Sequence, residues 1–410
     1  MLNKMMSILA GWLIDGSGAA VQEKMRIDLF NGIIQSIRKI TPPLPPAVKT
    51  GASVIDLSEC TVLPALMDCH VHLALLPDAP RGLPGDGVPE AYSRVLRHLH
   101  EHLTCGVMAV RDGGDAAGCV ARYKAYAAVN DLPLDVRASG PAWHRPGRYG
   151  QFIGHELAAD QRLSEAILQQ RGDIDHIKII NSGINSLTVF GKETAPQFDT
   201  DEMTDAVRVA RQRGFKTMVH ANGTAPVKIA LDAGCDSIEH GFFMGVENLH
   251  QMADNRVTWV PTAYTMLALK QRMQDRGQAT DVAQKNFDHQ VEQIQMACEL
   301  GVRIALGTDA GSAGVPHGQA LVQEMRVFRE AGFSVEQVVM YATHNAAMLL
   351  GLPEAGRLKP NMQANLIAVW GDPSQLPESL GAIEQLVYKG KQLNLNRTYL
   401  KNASNTQGLC

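Results

Sequence analysis

Two histidines one residue apart, His70 and His72 in "MDCHVHL", close an apolar stretch. Residues i and i+2 of a strand share a face, so both imidazoles can point the same way. Imidazole nitrogen is a common ligand of divalent ions, although a lone H-x-H is weak evidence for a metal. The remaining chemistry-bearing residues strengthen it. His220 ends "TMVH", His240 ends "SIEH", Asp309 lies in "ALGTDAG", and Lys178 stands inside the short apolar run "HIKII". A core histidine bonded to backbone, or a capping aspartate, would explain any one of these. Their recurrence near the C-terminal ends of separate strands favours a metal centre. Lys178 poses the sharpest question, because a buried ammonium without a partner costs several kcal/mol. It either snorkels to a surface or does a job.

The elements that must position these residues follow a clear rhythm. Residues 1 to 57 read as short strands and turns, ending in the Pro-rich loop "TPPLPPAVKTG". Strand candidates then alternate with helices: "TVLPALMDCHVH", "GVMAVRDGG", "LDVRASG", "HIKII", "KTMVHA", "SIEHG", "VTWVPT" and "RIALGTDAG". Residues 199–214 have acidic residues in a first turn and a closing Gly, as a helix should. "PVKIALDAG" is expected to start with Pro226 at its first helical position. "HGQALVQEMRVFREAG" and "SVEQVVMYATHNAAMLLG" supply the last helices. Strands alternating with helices over this length predict an α/β fold, a (β/α)8 TIM barrel spanning 58–357. After it, "ANLIAVWG" and "IEQLVYKGKQL" return to short strands. Segments 1–57 and 358–410 are therefore expected to pair into one small β-sandwich.

At these residues the chain resembles the amidohydrolase superfamily. "DCHVH", "IK", "VHA", "IEHG" and "GTDAG" occur in the family's order and on its expected strands. The resemblance implies that His70, His72 and Asp309 hold one metal and that His220 and His240 hold another. Lys178, carboxylated by CO2 to N6-carboxylysine, would bridge the two ions. A carbamate forms on a neutral amine, and burial depresses a lysine pKa toward neutrality. Gly223 stands where deaminase branches carry a glutamate, which argues against a deaminase. "GTDAGSAGVPHGQALVQEM" is similar to the imidazolonepropionase-like proteins and metal-dependent dipeptidases and carboxypeptidases (the prolidase-like branch), and Lys178 favours the peptidase side. Asn365 replaces an aspartate usual in the family, at a position outside the chemistry.

The expected activity is hydrolysis of C–N amide bonds in dipeptides or N-acyl amino acids by hydroxide formed on two divalent ions, read as zinc. Asp309 would serve as general base and then acid. The alternative is a cyclic-amide hydrolase of the hydantoinase or imidazolonepropionase type, with lactone or phosphotriester hydrolysis behind it. A non-catalytic assembly protein would have lost ligands, and here every position is filled. For substrate contact the loop "GPAWHRPGRYGQF" offers His144, Arg148 and Tyr149, with Arg148 as the carboxylate contact; Tyr264 and His317 lie after later strands. "RHLHEHL" spaces His98 and His102 four apart, but without H-E-x-x-H it reads as a solvated helix face.

Bulk properties agree with a small-molecule enzyme. The 410 residues are 45% hydrophobic and 20% charged, with a formal net charge of −4 and 5% aromatics. These values offer no basic patch or stacking surface for nucleic acid and no membrane partner. A homo-oligomer remains compatible with them. "MLNKMMSILAGWLIDGSG" reads as a strand entering a turn rather than a signal peptide. The 7 cysteines contain no C-x-x-C pair, as expected of reduced thiols in the cytoplasm.

Overall fold

The computed structural model describes residues 5–40, 53–78, 88–130 and 133–393. The Pro-rich loop at 41–51 lies outside these, as do the last residues of the chain. The N-terminal strands are β1 (Met5–Leu13), β2 (Gln22–Phe30), β3 (Ile33–Lys39) and β4 (Ser53–Pro64). The barrel strands begin with β5 (Leu66–Val71), β6 (Val107–Asp112) and β7 (Asp135–Ala138). Two short strands, β8 (Ala142–His144) and β9 (Gly154–Glu156), follow before β10 (His176–Ile180). The barrel continues through β11 (Lys216–Ala221), β12 (Ser237–His240), β13 (Thr258–Val260) and β14 (Arg303–Ile304). The C-terminal strands are β15 (Leu366–Trp370), β16 (Ile383–Tyr388) and β17 (Lys391–Leu393).

β10 to β14 pair in parallel with sequential neighbours, as do β5, β6 and β7. Two seams close the ring. Asp175 N donates to Ala138 O at 2.8 Å between β7 and β10, and His72 N donates to Ala310 O at 2.7 Å between β5 and the extension of β14. This is the (β/α)8 barrel expected from the alternation. In β10 the side-chain period of two sends Lys178 to the barrel interior, while Ile177 and Ile179 join the core under the helices. Met67, Cys69, Ala109, Val260 and Ala305 meet the helix Ala346–Leu350 in an apolar cluster of their own.

The terminal strands form one continuous sheet, in the order β17-β16-β15-β4-β1-β2-β3. It curls on its own core of Ile8, Leu13, Ile27, Ile34, Val62 and Leu366. Residues 32–34 also pair with 362–364, through Ile34 N to Met362 O at 2.9 Å and Ala364 N to Gly32 O at 2.8 Å. The sandwich is thus a single sheet folded over itself. The boundary drawn at 57/58 falls within β4, which pairs with β15 up to Pro64. The sequence run "TVLPALMDCHVH" therefore contains two strands, one for each unit, broken at Ala65.

Two helix starts and continuities differ from the sequence reading. The helix carrying Pro226 spans Thr224–Asp232, so the proline is its third residue; first-turn N–H groups lack intrahelical partners, and its missing donor costs nothing there. "SVEQVVMYATHNAAMLL" is helical over Val335–Met340, a π turn over Tyr341–Asn345, and helical again from Ala346. Leu306 N donates to the Tyr341 carbonyl at 3.2 Å, and Asn345 Nδ2 to Ile304 O at 2.7 Å, tying this turn to the last barrel strand. Among the described residues no helix is long and apolar enough to cross a membrane. Cys60, Cys69, Cys105, Cys119, Cys235 and Cys298 are free thiols.

Candidate metal centre

Lys178 is buried to 1% exposure, and its amine lies 3.4 Å from His70 Nε2. Asp309 Oδ1 is 3.4 Å from His70 Nε2 and 3.2 Å from His72 Nε2. One ligand atom from each of His70, His72 and Asp309 falls within 4.8 Å of the others, a spacing that can hold a cation. His240 stands beside them, its ring centroid 4.9 Å from His70 and 4.6 Å from His220. The barrel thus brings all six sequence-predicted residues to one end of the ring. Backbone strain helps aim two of them: His240 has φ +65° and Asp309 φ +59°, left-handed values rare for such residues. Gly113 leaves the necessary room, since a Cβ there would lie 2.9 Å from His72 Cε1 and 3.1 Å from His70 Nε2.

Each imidazole has one nitrogen committed to an outer partner. His70 Nδ1 donates to Glu239 Oε2 at 2.9 Å, and His72 Nδ1 to the Gly114 carbonyl at 3.3 Å. His220 Nε2 donates to the Gly183 carbonyl at 3.1 Å, and His240 Nδ1 bonds Thr262 Oγ1 at 2.7 Å. The carboxylate and the two carbonyls fix the proton of His70, His72 and His220 on the outer nitrogen and leave a lone pair on the inner one, the tautomer a metal requires, and the Thr262 hydroxyl can accept from His240 in the same way. Electrostatics point the same way. Burial holds His70 and His220 well below the usual imidazole range and His240 at about 4, so these rings are neutral. Burial also brings the Lys178 amine down to about 8, within reach of the neutral form. Asp309 is the contrast: burial pushes its carboxyl up, but the polar ring atoms it faces outweigh that and hold it well below the usual carboxylate range. Neutral imidazoles, an ionised carboxylate and a near-neutral amine suit divalent cations far better than an empty apolar interior.

Sequence reasoning missed the supporting layer. Glu239, fully buried, also accepts from Arg111 Nη2 at 2.7 Å and Ser237 Oγ at 2.6 Å. Arg111 Nε donates to Cys69 O at 2.7 Å, tying the β5 backbone to this group. Asp68 Oδ2 accepts from Thr308 Oγ1 at 2.6 Å and its Oδ1 from Thr308 N at 3.0 Å, holding β5 to the segment before Asp309. The signal was present in "AVRDGG" and "SIEHG", where charged residues sit inside runs otherwise built for burial. Gly223 is explained by its neighbourhood: φ is +88°, and a Cβ would meet Glu193 Oε2 at 2.7 Å. A side chain there would be strained by that φ and would have to displace the Glu193 carboxylate.

The centre opens into a cavity of about 590 Å³ lined by His72, His220, His240 and Asp309. Of the loop residues expected to meet substrate, Tyr149 lines it, with its ring 5.1 Å from His220. Arg148 is exposed outside the cavity lining and donates to Ala195 O at 2.7 Å. His144 is buried in β8, bonded to the Arg145 carbonyl, and Tyr264 packs against the main core with its backbone N–H on Glu324. His317 is 3% exposed and stacks at 3.8 Å on His98. His98 and His102 are buried too, against the expectation of a solvated helix face. His98 Nδ1 donates to Leu73 O at 2.8 Å, and His102 Nε2 lies 3.3 Å from His317 Nδ1. Nothing beyond the set of His70, His72 and Asp309 has three-ligand spacing among the described residues.

The profile of the amidohydrolase family matches residues 61–401. The chain belongs to that family. The amidohydrolase is 25% identical to ochratoxinase of Aspergillus niger over 355 residues, covering 76% of this chain and 70% of that one. An uncharacterised protein of Mycobacterium tuberculosis is also 25% identical, over 80% of this chain and 84% of its own. Imidazolonepropionase of Deinococcus deserti is 22% identical over 89% and 92%. Among solved structures, a Xaa-Pro dipeptidase with bound methionine in its active site superposes with a TM-score of 0.82. It has 26% identity, with 95% of this chain and 100% of that one covered. The protein is accordingly a hydrolase, of a family in general metal-dependent, with a His-His-Asp group able to bind an ion.

Proposed function

We propose that this amidohydrolase is a binuclear enzyme that cleaves the C–N amide bond of dipeptides or N-acyl amino acids. The observation that carries the reading is the commitment of one nitrogen on each of four histidines to an outer acceptor, with the other nitrogens converging beside Lys178 and Asp309. His70, His72 and Asp309 would hold one zinc ion and His220 and His240 a second, with Lys178 shared between them as its carbamate. Carboxylation joins the neutral Lys178 nitrogen to the carbon of CO2 and releases the displaced amine proton. Bound ions of this kind supply Lewis acidity and ionise water near neutral pH.

The chain's own residues do the rest. Asp309 is the proton carrier: it is ionised, and Ser312 Oγ donates to its Oδ2 at 2.8 Å, which fixes the carboxylate plane. It accepts the proton of the attacking water and returns it to the leaving nitrogen, completing hydrolysis to a carboxylate and an amine. Glu239 and Arg111 keep His70 in the required tautomer. Tyr149, beside His220, borders the path of the substrate.

The test is metal analysis combined with a screen. Protein loaded with zinc and bicarbonate should contain about two ions per chain, as expected of the full ligand set. It should release amines from a library of dipeptides and N-acyl amino acids. Full activity with one ion, or turnover confined to cyclic amides, would replace this reading with the imidazolonepropionase type.

A further inference from the structure

His240 is presented to the metal centre by a stretch of backbone that an unconstrained chain avoids. Its φ is +65°, that of Gly241 after it is +64°, and that of Thr262, which bonds its Nδ1, is +48°. Left-handed values are uncommon for a residue with a side chain and a genuine outlier for a β-branched one such as threonine. They persist only where the surrounding structure over-determines them. The groups that do so here come largely from one face of the helix Asp281–Glu299.

That face buries amides among Ala283, Ile294 and Ala297: Asn286 is 1% exposed, Gln290 0% and Gln293 5%. Spacings of four and three place the three amides on a single stripe. Gln290 Nε2 has two hydrogens and donates to two carbonyls, His240 O at 2.6 Å and Pro261 O at 3.2 Å. The first carbonyl belongs to the peptide joining His240 to Gly241, the second to the peptide leading into Thr262. One amide thus holds the plane beside the imidazole and the plane beside the hydroxyl that bonds it. Trp259 Nε1 also donates to His240 O, at 3.0 Å. Gln293 Nε2 donates to Gln290 Oε1 at 2.9 Å, which orients the Gln290 amide, and Gln293 Oε1 accepts from Met244 N at 3.1 Å. Asn286 Nδ2 reaches Ser186 O at 2.9 Å, in the loop after β10. A buried polar network filled in this way fixes one geometry.

The ligands of the other ion lean on different supports. His70 is held through Glu239 and Arg111, His72 through the Gly114 carbonyl and Asp309 through Ser312. Among the described residues none of these bonds comes from the Asp281–Glu299 helix. We infer that Gln290 is a positioning residue for His240, and that the amides of this helix set the affinity of the ion at His220 and His240 separately from the ion at His70, His72 and Asp309. The metal consequence rests on the two-ion reading above; the placement of His240 does not. Without the Gln290 donors, the peptides after His240 and before Thr262 are free to turn toward ordinary backbone conformations, and the imidazole swings off its line.

Zinc titration against a competing chelator reads the two affinities of the bicarbonate-treated protein. Gln290→Met, similar in volume but without a donor, should weaken one ion about 10–100-fold and leave the other within threefold. Anomalous scattering from zinc-loaded crystals should place the loss at His220 and His240. Trp259→Phe removes the other donor to His240 O while keeping an aromatic ring; it should weaken the same ion, and it carries the test if Gln290→Met does not fold. Gln170→Met is the control, because this buried amide bonds Trp143 Nε1 and Ser139 O and touches no ligand. It should lose stability in urea unfolding and keep both ions. Crystal structures of the metal-free parent and variant give a readout free of metal and turnover: the His240 ring should part from Thr262 Oγ1 while His70, His72 and Asp309 stay in place. Equal weakening of both ions, parent affinity for both, or an unmoved His240 ring would overturn the inference. A parent that takes up one ion only would sink the two-ion reading, and the metal-free structures then decide the role of Gln290 on their own.

Discussion

Replacing Glu239 by Gln preserves its shape and removes one acceptor. In the parent, Oε2 accepts from His70 Nδ1 at 2.9 Å while Oε1 accepts from Arg111 Nη2 at 2.7 Å and Ser237 Oγ at 2.6 Å. Glutamine has a single acceptor oxygen, so either the imidazole or the guanidinium must face an amide N–H. If the imidazole loses, its proton moves to Nε2, the nitrogen 3.4 Å from Asp309 Oδ1, and no lone pair faces the cation. If the guanidinium loses, Arg111 keeps its charge at 4% exposure without the carboxylate it pairs with. Breaking a buried pair in this way costs about 3–5 kcal/mol, out of a typical total of about 5–15 kcal/mol. Loss of such an outer ligand partner lowers metal affinity about 10–100-fold, equivalent to about 1.4–2.7 kcal/mol. Zinc titration against a competing chelator and urea unfolding of the metal-free protein read the two costs separately. Ser237→Ala, which removes one donor and no charge, should cost only about 1 kcal/mol. Zinc affinity within threefold of the parent, together with unchanged unfolding, would refute the assignment of Glu239 as the residue that sets the His70 tautomer.

Lys178→Ala should lose metal and activity together, and formate or acetate should restore part of both by supplying the missing oxygens; parent-like metal content and rate would exclude a bridging role. Asp309→Asn should cut kcat by about 10²–10⁴-fold while much of the metal stays and the acid limb of the pH–rate profile changes, whereas near-normal kcat with the parent's limb would leave Asp309 a ligand only. Burial holds His98 at about 4 and His102 at about 3 against 6.5 for a free imidazole, so the unfolded chain binds protons that the folded chain does not. Stability from these groups should fall as pH drops from 6.5 toward 4, by up to about 1.4 kcal/mol per pH unit for each. His102→Gln should give a shallower loss over that window in urea unfolding; a slope equal to the parent's would count against it.

The candidate metal-centre residues were legible because they sit within or just after short apolar runs, and the strand period decides which way a side chain in a strand points. His220 and Lys178 needed nothing more than "TMVH" and "HIKII" to be placed on inward faces. Their supports were harder to read, since Glu239 finds Arg111 across 128 residues of sequence. His98 and His102 were misread although the pattern held the answer: they share the helix stripe of Val95, Leu99 and Leu103, all buried. What hid it was the partner, His317, 215 residues beyond His102. Arg148 was legible only as a cation near the barrel mouth. The turn that carries it points the guanidinium to the Ala195 carbonyl instead of the cavity, a matter of loop conformation that composition does not encode.

The pairing of β15 against β4 has a consequence for how the chain is made. β1 covers one edge of β4 early, but the other edge waits for Leu366–Trp370 to emerge. At about 5–20 residues per second, the roughly 300 intervening residues take on the order of 15–60 s to synthesise. During that interval a nascent chain displays an unpaired strand edge, the feature that recruits foreign strands and chaperones alike. A chain ending at residue 357 freezes that moment and is expected to aggregate or remain chaperone-bound. A soluble, monomeric truncation would show that the barrel alone shields the edge.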